Sequence, residues 1–240
     1  GIYDARQLGV PKMIILGLQH TFAMFGATIL VPILTGLSVS TTLLMAGLGT
    51  LLFHFLTKGK VPAFLGSSFA FLGGYGAVAP MVNGAPNKEM LPYACGGVFC
   101  AGLVYLIMSA LIKGFGVKRV MKFFPPVVTG PIIIAIGLIL APSAIIPIIL
   151  GVAASYTVAA CMGEIDFSAA ASRSWIGLPP IQMMKFDVSS ILTIMPIALA
   201  TMMEHIGDIT AIGATTKRNY IADPGLHRTL LGDGLATCLA

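Results

Sequence analysis

Charge is what this sequence has least of. Asp, Glu, Lys and Arg make up only 10% of its 240 residues, against about 25% in an ordinary soluble domain. Hydrophobic residues reach 57% and the mean hydropathy is +0.94. A water-soluble fold of that composition would carry more apolar surface than it could hide, so a membrane protein is expected. Also missing are a phosphate-binding loop, a HExxH zinc site and a nucleophile elbow, so the chain is not read as an enzyme. The four cysteines (Cys95, Cys100, Cys161 and Cys238) form no CxxC and lie in or beside apolar segments. They are expected to be reduced packing residues rather than metal ligands, and no cofactor is expected. No signal-peptide cleavage pattern precedes the first apolar run. The net charge of +5 comes from bases in short loops, which gives no reason to expect a nucleic-acid partner.

What is present is a series of apolar runs. About 20 such residues cross the hydrocarbon core as a helix, and Met13–Leu34, Val39–Leu56 and Leu91–Ile112 fit. Ser189–Ala214 fits if its acids face inward. The run from Val61 to Val82 is apolar but interrupted, with glycines at 66, 73, 74 and 76. An extended piece leading into a half-helix there would present free N–H groups and a positive dipole end at mid-membrane. A helix with glycine-rich packing faces is the alternative. Backbone without helical bonds is tolerated at that depth only against protein or a water-filled cavity.

Lys and Arg gather at Arg6/Lys12, Lys58/Lys60, Lys113–Lys122 and Lys217–Arg228. By the positive-inside rule these mark the cytoplasmic side, and the N-terminus with it. From Phe123 to Gly163 no charge occurs, and Pro142 and Pro147 are the chief punctuation. If that stretch is two spans, the Lys217 cluster falls outside, against the rule. One further crossing near Ala141–Pro147 restores the pattern, so a span is expected to be missing there. The end at Ala240 falls inside another apolar run and is read as a truncation.

The chemistry concentrates at Glu204 and Asp208. Between Val188 and Thr216 they are the only acids, and no Lys or Arg accompanies them. Four residues apart, they stack on one helix face. A carboxylate near the bilayer centre costs about 2.5 kcal/mol or more, so it normally faces a polar cavity and marks a substrate or ion pathway. A buried polar knot joining helices is the plainer alternative. Protonated, Glu204 both donates and accepts hydrogen bonds, which suits a ligand edge carrying N–H beside C=O. Asp208 would carry a coupling proton or organise its neighbour, the two titrating as a coupled pair. His20 in the first span is either a proton relay or a satisfied structural residue. His205, about 100° from Glu204, is expected to pack or hydrogen-bond. His54 is expected at the interface, His227 in a structural turn, and Asp233 toward the membrane interface.

Five segments in order resemble the nucleobase–ascorbate transporter family, and within it the bacterial uracil:proton symporters. They are Gln19-His20 with Phe22–Thr28, Lys58–Phe71, Phe124-Pro125-Pro126, Glu204–Asp208, and Asp223–Arg228 with Gly232-Asp233-Gly234. The resemblance implies an all-α polytopic membrane protein, an inverted-repeat transporter of fourteen spans. About eight are represented here, and a broken third span contains a short β-strand. Residues 1–141 would hold first-repeat spans one to five, with core spans one to four and the start of the gate. Residues 142–187 would hold gate span seven and an extracellular loop, with span six missing. Residues 188–240 would hold core span eight and the start of nine.

By position, Glu204 resembles the acid that grips the base, and Phe69, beside Ser68, resembles the broken-span residue that lines it. Asp208 stands where some uracil carriers have His and many purine carriers have Asp, so both kinds of base stay open. The implied activity is nucleobase import, with uracil as substrate, driven by protons at Asp208, Glu204 and His20. The implied setting is a multi-pass inner or plasma membrane protein in the lipid bilayer, and related carriers can be homodimers. Sodium drives some relatives. Rival readings are a xanthine or urate symporter, a sulfate-permease-like anion carrier, which these acids oppose, and a channel or receptor.

Overall fold

The structure is a computed structural model describing residues 8–122, 124–140 and 177–239. The expected missing span, gate span seven and Cys161 lie outside the described residues. Helix α1 (Val10–Thr35) covers the first expected span and starts with a proline in its first turn. It stops at Gly36, whose φ of 83° only glycine adopts cheaply, and the Gly36 N–H closes the turn on Pro32 O at 2.8 Å. Helix α2 (Val39–Leu56) begins with Ser38, whose hydroxyl accepts the Thr41 N–H.

After α2 the chain is non-helical from residue 62 to 68. It then makes a single tight turn, Phe69–Phe71, and enters a two-turn helix, α3 (Leu72–Val78). The interrupted crossing is therefore formed. The short strand expected within it is not, since no strand occurs among the described residues; an isolated bridge, Val82 to Ala85, is all the pairing there. A strand needs a ladder partner, and here the hydroxyl of Thr50 takes that place instead.

Helix α4 (Leu91–Phe115) is followed by the short α5 (Val117–Val120) and by α6 (Pro126–Leu140). Helix α7 (Val188–Ile194) continues past Pro196 into α8 (Ile197–Thr216), and after a wide turn at Ile221–Gly225 comes α9 (Leu226–Leu239). The segments Val39–Leu56, Leu91–Phe115 and Val188–Thr216 are each long and apolar enough to cross a membrane. Large apolar side chains such as Leu51, Phe55, Ile107 and Leu192 are exposed on the outer faces, as helices in lipid require. The chain is a mostly helical, multi-pass membrane protein.

Helix α9 is the centre of the packing. It lies in the groove between α4 and α2, and small residues let it in. A Cβ on Gly49 would stand 2.9 Å from Ala236 Cβ, and one on Gly232 would stand 2.8 Å from the Phe53 ring. Close backbone approach through small residues is how helices associate where lipid offers no hydrophobic drive. Phe53, Ile112, Met202, Leu226 and Leu230 are fully buried around it. Lys60 bonds both oxygens of Asp223 at 2.6 Å, and Ser109 donates to His227 O. These contacts gather the α2–α3 connection, the later part of α4 and the start of α9 at one end.

Candidate functional site

One side chain ties the non-helical stretch of the interrupted crossing to α2. The Leu65 N–H donates to Thr50 Oγ1 at 3.1 Å, and the same hydroxyl donates to Leu65 O at 3.2 Å. Thr50 thus satisfies both main-chain groups of a residue that has no helix to do so. It sits eleven residues into α2, about 17 Å along the axis at 1.5 Å per residue, which is mid-depth in a crossing helix. Three residues on, the Ser68 hydroxyl accepts the Ala70 N–H at 3.3 Å and starts the turn that carries Phe69.

Opposite this turn stands α8. A cavity of about 300 Å³ separates the two, lined by Ser67, Ser68 and Phe69 on one side and by Thr201, Glu204 and Asp208 on the other. Met24 of α1, Met45 of α2, Tyr105 of α4 and Asp233 of α9 complete the wall. Glu204 is half-buried, as are Ser68 and Phe69, while Asp208 is exposed at the same cavity. Four of the residues singled out in the sequence therefore meet around one space. His20 does not line it and is exposed on α1; the residue one turn further on, Met24, does.

One placement differs from the sequence expectation. Asp233 is not near an interface. It lies seven residues inside α9, and its half-buried side chain lines the cavity. His205 hydrogen-bonds, as expected, and its partner is Asp233: Nδ1 lies 2.9 Å from Asp233 Oδ2. Sequence spacing shows which residues share a face of one helix, but not which neighbouring helix that face meets. The available signal was Gly232-Asp233-Gly234, an acid between two residues small enough for close helix contact. His54 is half-buried with its ring edge-on to Phe53, at 6.1 Å between centroids. The Tyr105 ring, 2% exposed, and Thr201 line the cavity and were not singled out in the sequence.

Among the described residues the lining holds three carboxylic acids, one imidazole and no Lys or Arg. Such a wall repels anions and offers hydrogen-bond acceptors to ligand N–H groups, with an aromatic ring at Phe69 for a flat ligand face. Among the described residues no His, Cys, Asp and Glu converge in a group able to hold a metal ion.

A family model described as a permease family matches residues 11–146 and 143–240. The chain is 39% identical over 268 residues to a probable uracil permease of Haemophilus influenzae, covering 95% of this chain and 63% of that protein. It is 37% identical over 276 residues to a uracil permease of Bacillus caldolyticus, covering 96% and 62%. With a uracil permease of Escherichia coli the identity is 34% over 270 residues, covering 94% and 60%. The chain thus spans somewhat over 60% of the length of these relatives. The 268 aligned positions take in about 228 residues of this chain (95% of 240), so about 40 positions of the Haemophilus protein face a gap. Permeases are transporters rather than enzymes, and this chain belongs to that permease family, the nucleobase–ascorbate transporter family, with sequence likeness to its uracil permeases.

Proposed function

We propose that the complete carrier takes up uracil or a closely related nucleobase together with a proton. The observation that carries this is the cavity in which Glu204 and Asp208 face the Ser67–Phe69 turn. The base lies against Phe69, and its N–H and C=O edge pairs with the Glu204 carboxyl. Asp208, and His20 on α1, serve proton movement, and Ser68 sets the turn against which the ring rests. The names of the relatives support the substrate class.

Transport proceeds by alternating access: the block holding the cavity moves against the rest of the carrier, exposing the base to each side in turn. The carrier is read as fourteen spans in two inverted repeats; the family match, which breaks at residues 143–146, supports only a sixth span without a counterpart here. The cytoplasmic side is the one bearing Lys58, Lys113 and Lys217. Asp208 favours a purine as the second reading, since its carboxylate adds an acceptor for a further ring N–H.

The test is uptake of radiolabelled uracil into proteoliposomes, with xanthine and sulfate as competitors. Uracil is expected to accumulate with an inward proton gradient and to exchange without one. Glu204→Gln is expected to abolish accumulation. Accumulation that follows sodium alone removes proton coupling, and uptake by Glu204→Gln at the wild-type rate removes Glu204 from the site.

A further inference from the structure

The polar contact that the transport scheme leaves unused is the His205–Asp233 pair. Helix α9 packs chiefly on α4 and α2 and touches α8 little. The 2.9 Å bond from His205 Nδ1 to Asp233 Oδ2 is therefore a main tie between the helix bearing Glu204 and the helix closing the cavity beside it. The flanking glycines fix how Asp233 is offered. Gly232 lies against Phe53 of α2, and Gly234 lies against Tyr105 and Gly102 of α4. The residue between them is left to reach α8.

The imidazole is equally constrained. His205 is 7% exposed, and its ring stands edge-on to Phe53 with centroids 6.4 Å apart. Its Nε2 is buried without a hydrogen-bond partner among the described residues. A buried N–H with no acceptor is costly, so the ring proton belongs on Nδ1, where it meets the carboxylate. One oxygen of Asp233 is then taken, and the second has no hydrogen-bond partner among the described residues. The cavity's other charged groups are Glu204 and Asp208, both acids, with the Tyr105 phenol from α4. Among the described residues, His205 is the one basic side chain in that lining.

We propose that His205 is a positioning residue for transport. Its Nδ1–H holds the Asp233 carboxylate in the cavity wall and ties α9 to α8, so that the acids keep their spacing around the substrate. Its functional consequence rests on the transport reading above; its geometry does not.

The test exploits the two nitrogens of the ring. Asn at 205 places an amide N–H near the position of Nδ1, whereas Gln places it near Nε2. In the complete membrane protein, reconstituted and assayed with radiolabelled uracil, His205→Gln and His205→Ala are expected to lower the maximal uptake rate about tenfold or more, as for a buried carboxylate left without its donor. His205→Asn is expected to recover most of it. In an Asp233→Asn background, His205→Ala is expected to add little, because coupled residues are non-additive. Gln rescuing better than Asn, or full additivity with Asp233→Asn, overturns the proposal. A readout independent of any substrate is the ¹⁵N spectrum of labelled histidine in the purified protein. It is expected to show His205 protonated at Nδ1, with a signal that shifts in Asp233→Asn; an Nε2–H form overturns the proposal. Failure of the wild type to move uracil refutes the transport reading and leaves the spectrum to decide the pair.

Discussion

A single methyl group at Gly234 is expected to disturb the site without altering any acid in it. The Cβ of Gly234→Ala would stand 2.5 Å from Tyr105 Cβ and 3.0 Å from Gly102 O. Carbon atoms rest comfortably at about 3.5–4 Å, so α9 and α4 must part by roughly 1 Å. Neither obstacle is the free end of a side chain; one is a Cβ and the other main chain, so the helices themselves have to move. Overpacking of this kind costs about 1–3 kcal/mol. The neighbouring residue is Asp233, whose bond to His205 measures 2.9 Å; a displacement near 1 Å takes such a contact past the ~3.5 Å at which it ceases to be a hydrogen bond. The control is Gly47→Ala in α2, where an added Cβ meets nothing within 4 Å and helix propensity favours alanine by up to about 1 kcal/mol. Thermal unfolding of the purified protein and uracil uptake in proteoliposomes are read together. Gly234→Ala is expected to melt several degrees below Gly47→Ala and to transport more slowly. Equal melting temperatures and equal uptake would refute the close-packing account of α9.

Two further outcomes follow from single contacts. Thr50→Val keeps the shape of the side chain but leaves the N–H and C=O of Leu65 without their partner, which costs about 1–3 kcal/mol where they are buried. Lower thermal stability and a raised KM for uracil are expected, and an unchanged KM would show that Thr50 does not hold the interrupted crossing. Asp187 caps α7 by accepting the Ser190 N–H at 3.0 Å and the Ser190 hydroxyl at 3.1 Å. Those hydrogen bonds, the Ser190 N–H foremost, hold its carboxyl below the ordinary value of 3.8. A depressed value stabilises the folded form above the unfolded-state pKa and loses that effect as pH falls through the folded one. Asp187→Ala should therefore lower the melting temperature near neutrality, with the gap to wild type closing below pH ~4; a gap independent of pH contradicts the cap.

The spans were legible because long apolar runs admit few other folds: Val39–Leu56 keeps its expected bounds, and Leu91–Phe115 overruns its expected end by one turn. The interruption of the third crossing was legible from glycines 66, 73, 74 and 76, which weaken a continuous helix. Its strand was not realised, because pairing depends on a partner that local sequence does not specify, and Thr50 serves Leu65 through a side chain instead. Glu204 and Asp208 were legible as a pair from their i, i+4 spacing. The His205–Asp233 contact was not, because the two are 28 residues apart and joined only by helix packing. Gly232 and Gly234 announced a close approach, but not to which helices.

The central claim is that a nucleobase occupies the space between Glu204 and the Ser68–Phe69 turn, and alkylation of a thiol placed there tests it most directly. In a complete carrier with its native cysteines replaced, Ser68→Cys is labelled by a maleimide with and without uracil. Uracil is expected to slow the labelling at position 68 in proportion to its occupancy, and to leave unchanged a thiol placed at Lys88, exposed in the turn before α4. Labelling at position 68 that saturating uracil leaves unaltered, in protein that still transports uracil, would contradict the account.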